Sequence, residues 1–202
     1  MANQDYLNKY AACMEEIKMR TEVIRAFFDG RCSALYKQTT AESIGLQIRK
    51  ILELIALASL VANKDEYAKN RAKFASDWHA KRILSDIEAI NPLFYPVPTE
   101  QVHDESGENV VETKLVSSGY LTKAEFEKLY DKCGSILHAQ NPFSATKDID
   151  RFIKDVPEWM KKIMKLLNHH QIQLVQSDLQ FWVLMQSKKD GKVQVTLFQQ
   201  VP

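Results

Sequence analysis

One short stretch gathers an imidazole, a cation, an amide and a glycine: Lys132-Cys133-Gly134-Ser135-Ile136-Leu137-His138-Ala139-Gln140-Asn141-Pro142-Phe143. A histidine changes charge near neutral pH and can act as general acid or base. The apolar residues Phe126, Leu129, Tyr130, Cys133, Ile136 and Leu137 repeat at helical spacing. With their stripe as reference, His138 lies about 120° away, on a line with Asp131 and Gly134. His138 therefore flanks the core. Gly134, one turn earlier, costs about 1 kcal/mol against Ala in a helix, so packing or close access must compensate. The helix dipole at this C-terminal end favours imidazolium. The competing role for His138 and Asn141 is to cap the helix end.

A second charged set lies on the most apolar helix of the chain. Glu42, Arg49 and Glu53 stand at i, i+7 and i+11, within about 20° of one line on the helix surface. Buried charges need partners. One reading is a charge network facing a cleft. The other is an Arg49–Glu53 ion pair at the edge of the core, with Glu42 in solvent.

Other chemistries lack their residues. The sequence has no Gly-rich phosphate loop, dinucleotide fingerprint, His-Glu-x-x-His or Gly-x-Ser-x-Gly. His79, His103, His138, His169 and His170 have no metal-ligand spacing, and neither a metal nor a cofactor is expected. Cys13, Cys32 and Cys133 form neither a disulfide framework nor a zinc pattern. Lys and Arg total 27 against 26 Asp and Glu, a net charge of +1, so nucleic acid would not be gripped by bulk charge. A cationic run between 64 and 82 reads as a solvated helix face. The first residues resemble no signal peptide, and the apolar run 51–62 is too short to cross a bilayer. A cytoplasmic protein without a membrane partner is the expectation.

The elements that position these residues follow from periodicity. The 202 residues, 45% hydrophobic, suit one domain. Helices are expected at 4–28, 40–63, 65–90, 122–141 and 147–169, the second being central because it is apolar nearly all round. Thr122 and Glu125 form a capping box at the start of the fourth. Pro157 would open the second half of the fifth. Strands are expected at 172–175, 179–187 and 192–200, with Asp190-Gly191 turning between the last two. The 91–120 segment, broken by Pro92, Pro96 and Pro98, reads either as a hairpin of 94–97 with 110–116 or as a flap. The fold class is thus α+β and predominantly helical. A bundle of about five helices (1–170) carries a C-terminal three-stranded antiparallel β-meander (171–202).

The string Glu42-Ser-Ile-Gly-Leu-Gln-Ile-Arg49-Lys-Ile-Leu-Glu53 and the string Ser135-Ile-Leu-His138 resemble the HEPN superfamily (higher eukaryotes and prokaryotes nucleotide-binding). Many members of that family are metal-independent ribonucleases of toxin–antitoxin or phage-defence systems, and members tend to pair through their helices. The resemblance implies His138 as the catalytic histidine. The family signature is an Arg followed, after four to six residues, by a His; here only Lys132 among Asp131, Lys132 and Cys133 is cationic. Lys lacks the planar fork that grips phosphate bidentately. Either Arg49 takes that place, with Glu53, Glu42, Gly134 and Asn141 in support, or the chain binds RNA without cutting it. The alternative from another class is a non-catalytic module that binds a protein partner through the meander face holding Trp182, Leu184, Val175 and Phe198. A small-molecule pocket beside the 91–120 segment is a third.

Overall fold

The structure, a computed structural model, describes residues 2–64, 79–106, 109–175 and 178–199. Tyr10, Met14, Ile17 and Ile24 recur at helical spacing and are buried on α1 (Ala2–Phe28). They pack along α2 (Lys37–Ala62). α2 is buried on most sides, with Ile44, Ile48, Ile51, Leu52 and Ile55 almost without solvent contact. It is the central helix that its composition predicts. Gly45 lets it approach its neighbours: a Cβ there would stand 2.6 Å from Ile136 Cγ2 and 3.4 Å from the Phe152 ring. α3 (Ala80–Ile90) ends at Asn91-Pro92, as the proline requires. The expected start of that helix, at 65–78, lies outside the described residues.

α4 (Lys123–Leu137) opens with the capping box read from the sequence. The Glu125 backbone N–H meets the Thr122 hydroxyl, and the Glu125 carboxylate accepts from the Thr122 N–H at 3.0 Å. Lys162 also donates to Glu125 at 2.5 Å. These bonds, with Lys162 the largest cause, hold the Glu125 carboxyl down to about 2. α5 (Ile149–Leu167) runs unbroken through Pro157, so the two-part helix expected there is one helix.

The sheet is larger than the predicted three-stranded meander. Five strands are present among the described residues: β1 (Val97–His103), β2 (Val110–Leu115), β3 (His169–Gln173), β4 (Leu179–Leu184) and β5 (Gln194–Gln199). All neighbours are antiparallel in the order β2-β1-β3-β4-β5. The 91–120 segment is therefore no flap. Its strands pair with each other, and β1 joins β3 through Val97 opposite Gln171 and Pro98 opposite His170. The α+β class stands, with the helices packed on an extended sheet.

The end of α5 corrects another expectation. The helix stops at Leu167, and His169 and His170 begin β3. Successive strand residues face opposite sides of a sheet. His170 points into the core and is fully buried. Its Nδ1 lies 2.7 Å from the Leu167 carbonyl, which can only accept, so Nδ1 carries the proton. Nε2 then accepts from the Tyr10 hydroxyl at 2.7 Å. Burial, the largest cause, holds the imidazole down to about 4. Tyr10 also meets the edge of the Phe181 ring. His169 lies on the outer face, 2.6 Å from Thr99 Oγ1 and against the Trp182 ring. A buried amide chain ties α2 and α3 to the end of β3: Asn91 Nδ2 donates to Asn63 Oδ1 and to the Gln173 carbonyl.

Candidate functional site

Arg49 and Tyr130 form the centre of the polar cluster between α2 and α4. The Arg49 guanidinium lies over the Tyr130 ring, 4.0 Å from its centroid. Its Nη2 donates to the Tyr130 hydroxyl at 2.7 Å. Its Nε stands 3.3 Å from Glu53 Oε1, one helical turn along α2. Lys50 pairs with the other Glu53 oxygen at 2.7 Å. Two cations facing one carboxylate leave the patch with one net positive charge. The Arg49 and Glu53 side chains are 26% and 17% exposed, so the group is part-sheltered yet reachable from solvent. Burial raises the Tyr130 phenol above its ordinary range, with Arg49 opposing and Glu53 adding.

Gly134 makes this arrangement fit. A Cβ at that position would stand 2.7 Å from Arg49 Nη1. The close access that the sequence assigns to Gly134 is thus taken by the Arg49 side chain. Nη1 has no hydrogen-bond acceptor among the described residues. The other two nitrogens of the guanidinium are engaged, by Tyr130 and Glu53.

His138 is the C-cap residue of α4 and is exposed. With φ −80° and ψ 147° its backbone is extended at the helix end, four residues after Gly134. The His138 ring has no hydrogen-bond partner among the described residues, while its carbonyl accepts from Lys147 Nζ. Asn141 acts in the chain reversal after α4, where its side chain accepts from the Phe143 N–H and its carbonyl from the Ser144 N–H.

The remaining site residues are not brought to this cluster. Lys132 turns toward α5, with its ammonium 3.0 Å from Asp155 and 4.5 Å from the centre of the Trp159 ring. Glu42 accepts from Gln38 at 2.8 Å, two turns before Arg49. Cys133 is buried, which pushes its thiol up to about 12 and keeps it un-ionised at neutral pH.

Two members of the cluster escape the sequence reading. Tyr130 reads as one more residue of the apolar stripe. His79, just before α3, packs its ring against Tyr130 at 5.8 Å. No local signal reveals either, because Tyr130 lies 81 residues from Arg49.

On the sheet, Phe181 and Val183 face the core, and Trp182 lies on the outer face against Phe198 at 4.7 Å. The 91–120 segment borders a groove lined by Pro92, Tyr95, Pro98, Leu115 and Tyr120. Among the described residues no helix is long and apolar enough to cross a membrane, and no three His, Cys, Asp or Glu side chains gather as metal ligands would. Comparison with protein-family models, curated proteins and solved structures finds no match to this chain.

Proposed function

We propose that the protein is a HEPN-like, RNA-directed protein whose working group is Arg49 with His138. The observation that carries this reading is the Arg49 guanidinium held over Gly134, with no acceptor for Nη1 among the described residues, four positions before the exposed His138 that ends the same helix. A planar guanidinium suits a phosphate better than an ammonium does. Arg49, rather than Lys132, is the cation of this proposal, because Lys132 is engaged by Asp155 and Trp159.

In the cleaving version, neutral His138 removes the proton of a ribose 2′-hydroxyl. The 2′-oxygen attacks the adjacent phosphorus, the bond to the 5′-oxygen breaks, and that oxygen takes a proton from an imidazolium or from water. Arg49 Nη1 compensates the charge that develops on the phosphoryl oxygens. Tyr130 and Glu53 hold the guanidinium plane. The proposed setting is the cytoplasm, in a bacterial toxin–antitoxin or phage-defence system.

The test is incubation with total RNA in EDTA, comparing wild type with His138→Ala, Arg49→Gln and Lys132→Gln. The reading expects loss of cleavage in the first two and retention in the third. Equal cleavage by wild type and His138→Ala removes the catalytic version. RNA retention that survives in His138→Ala but falls in Arg49→Gln, without cleavage, leaves a binding protein. A second reading rests on the outer sheet face, where Trp182 and the half-exposed Phe198 ring form an aromatic surface for a protein partner. It gains if no RNA is bound and a Trp182→Ala variant loses a partner that wild type retains.

A further inference from the structure

β2 is an edge strand with its outer side unpaired among the described residues. The opposite end of the sheet is tied down. Lys18 donates to the Gly191 carbonyl and Glu15 accepts from the Val193 N–H, which fixes the chain leading into β5 against α1. β2 has no such cover among the described residues, and it exposes Val110, Val111 and Leu115 at 48%, 63% and 71%. Edge strands of this kind are templates for a further strand unless something blocks them.

The direction of the free backbone groups follows from the ladder. The Val116 N–H donates to the Pro98 carbonyl at 3.0 Å. Alternation along an antiparallel pair then turns the N–H and C=O of Lys114 and Glu112 toward β1, and those of Thr113 and Leu115 outward.

We propose that β2 pairs antiparallel with β2 of a second copy of this chain, about a twofold axis at Thr113, so that two five-stranded sheets become one. In this register the outward groups of Thr113 meet their own equivalents and form two backbone bonds. Val111, the residue that the register shift of the β1–β2 ladder leaves without a partner on β1, falls opposite Leu115 of the second copy, covering apolar surface on one face. On the other face Glu112 stands opposite Lys114 of the second copy, twice by symmetry. These fall at non-hydrogen-bonded positions, where opposed side chains come closest. Within one copy Lys114 Nζ is 3.3 Å from Glu112 Oε2, with both side chains more than half exposed, so the two charges share a face and exchange this weak surface pair for the two across the axis. Sliding the register by two residues either way sets Glu112 against Glu112 or Lys114 against Lys114, which is destabilising. Charge therefore selects the register centred on Thr113. The Arg49–His138 reading is independent of it, since β2 contributes nothing to that cluster.

The test is sedimentation of the full chain over a concentration series. Wild type is expected to dimerise. Lys114→Glu and Glu112→Lys each turn both symmetric pairs repulsive and weaken the dimer about tenfold. The double exchange Glu112→Lys with Lys114→Glu restores opposite charges and recovers association. Thr113→Cys, with the exposed Cys32 changed to Ser, is expected to oxidise to a covalent dimer. Opposed residues at a hydrogen-bonded position have Cα atoms about 5.5 Å apart, within disulfide reach. A monomer at every concentration overturns the proposal. So does a dimer that ignores both single charge changes and fails to crosslink at position 113.

Discussion

His170 makes folding stability depend on pH in a calculable way. Its ordinary value of 6.5 applies in the unfolded chain, and burial takes it to about 4 in the folded protein. The folded state therefore binds a proton less readily than the unfolded state. The stability this confers is complete above pH 6.5 and is lost as pH falls through the folded value. The full effect is about 3.4 kcal/mol, at about 1.36 kcal/mol for each tenfold change in proton affinity. Between about pH 7.5 and about pH 5 the expected loss is about 2 kcal/mol. For a chain of this size that lowers the melting temperature by about 4–8 °C. His169 is also shifted downward by burial and adds in the same direction. The measurement is urea unfolding of wild type and His170→Gln across this range. The substitution costs stability at every pH, because Tyr10 and the Leu167 carbonyl lose their fitted partner, but it removes the titration. The wild-type curve should fall more steeply than the variant curve by about 2 kcal/mol. Parallel curves would refute the account of His170 as a buried neutral imidazole.

Gly134→Ala tests the seat of Arg49. The helix gains about 1 kcal/mol, while Arg49 must move off its bond to Tyr130, so thermal stability should stay within about 1 kcal/mol of wild type. RNA cleavage under the proposed function should fall by about tenfold to a hundredfold, because the guanidinium is displaced; unchanged cleavage would separate Arg49 from the chemistry. Gly45→Ala gains the same helix propensity but drives a methyl into buried Ile136 and against Phe152, for a net loss of about 1–2 kcal/mol. A rise in melting temperature would show that α2 and α4 are not packed as closely as 2.6 Å implies.

Local signals in the sequence carry much of the helical architecture. The Thr122/Glu125 capping box needs only four residues to be read, and it forms as read. The burial of α2 follows from apolar residues on nearly every side of it. β1 and β2 are harder, because Pro96 and Pro98 hide the alternation and Pro98 is tolerated only through its particular place in the ladder. Residues 169 and 170 read as the end of a helix, since the pairing that makes them strand comes from Val183 and Leu184 in β4. The candidate site is legible by halves. Arg49, Glu53, Gly134 and His138 stand out by type and spacing, while the ring that organises Arg49 comes from another helix. Lys132 has no direction in the sequence, because Asp155 and Trp159 on α5 decide it.

The link between Tyr10 and His170 spans 160 residues. α1 is further tied to Gly191 and Val193, at separations of 173 and 178. A growing polypeptide adds about 5–20 residues each second, so the buried side of α1 waits roughly 10–30 s after Tyr10 is made before its partner on β3 exists. During that interval Tyr10, Met14 and Ile17 can already pack along α2. α1 is thus closed over by residues 160 or more positions further along the chain, and the native core is completed only once they have emerged.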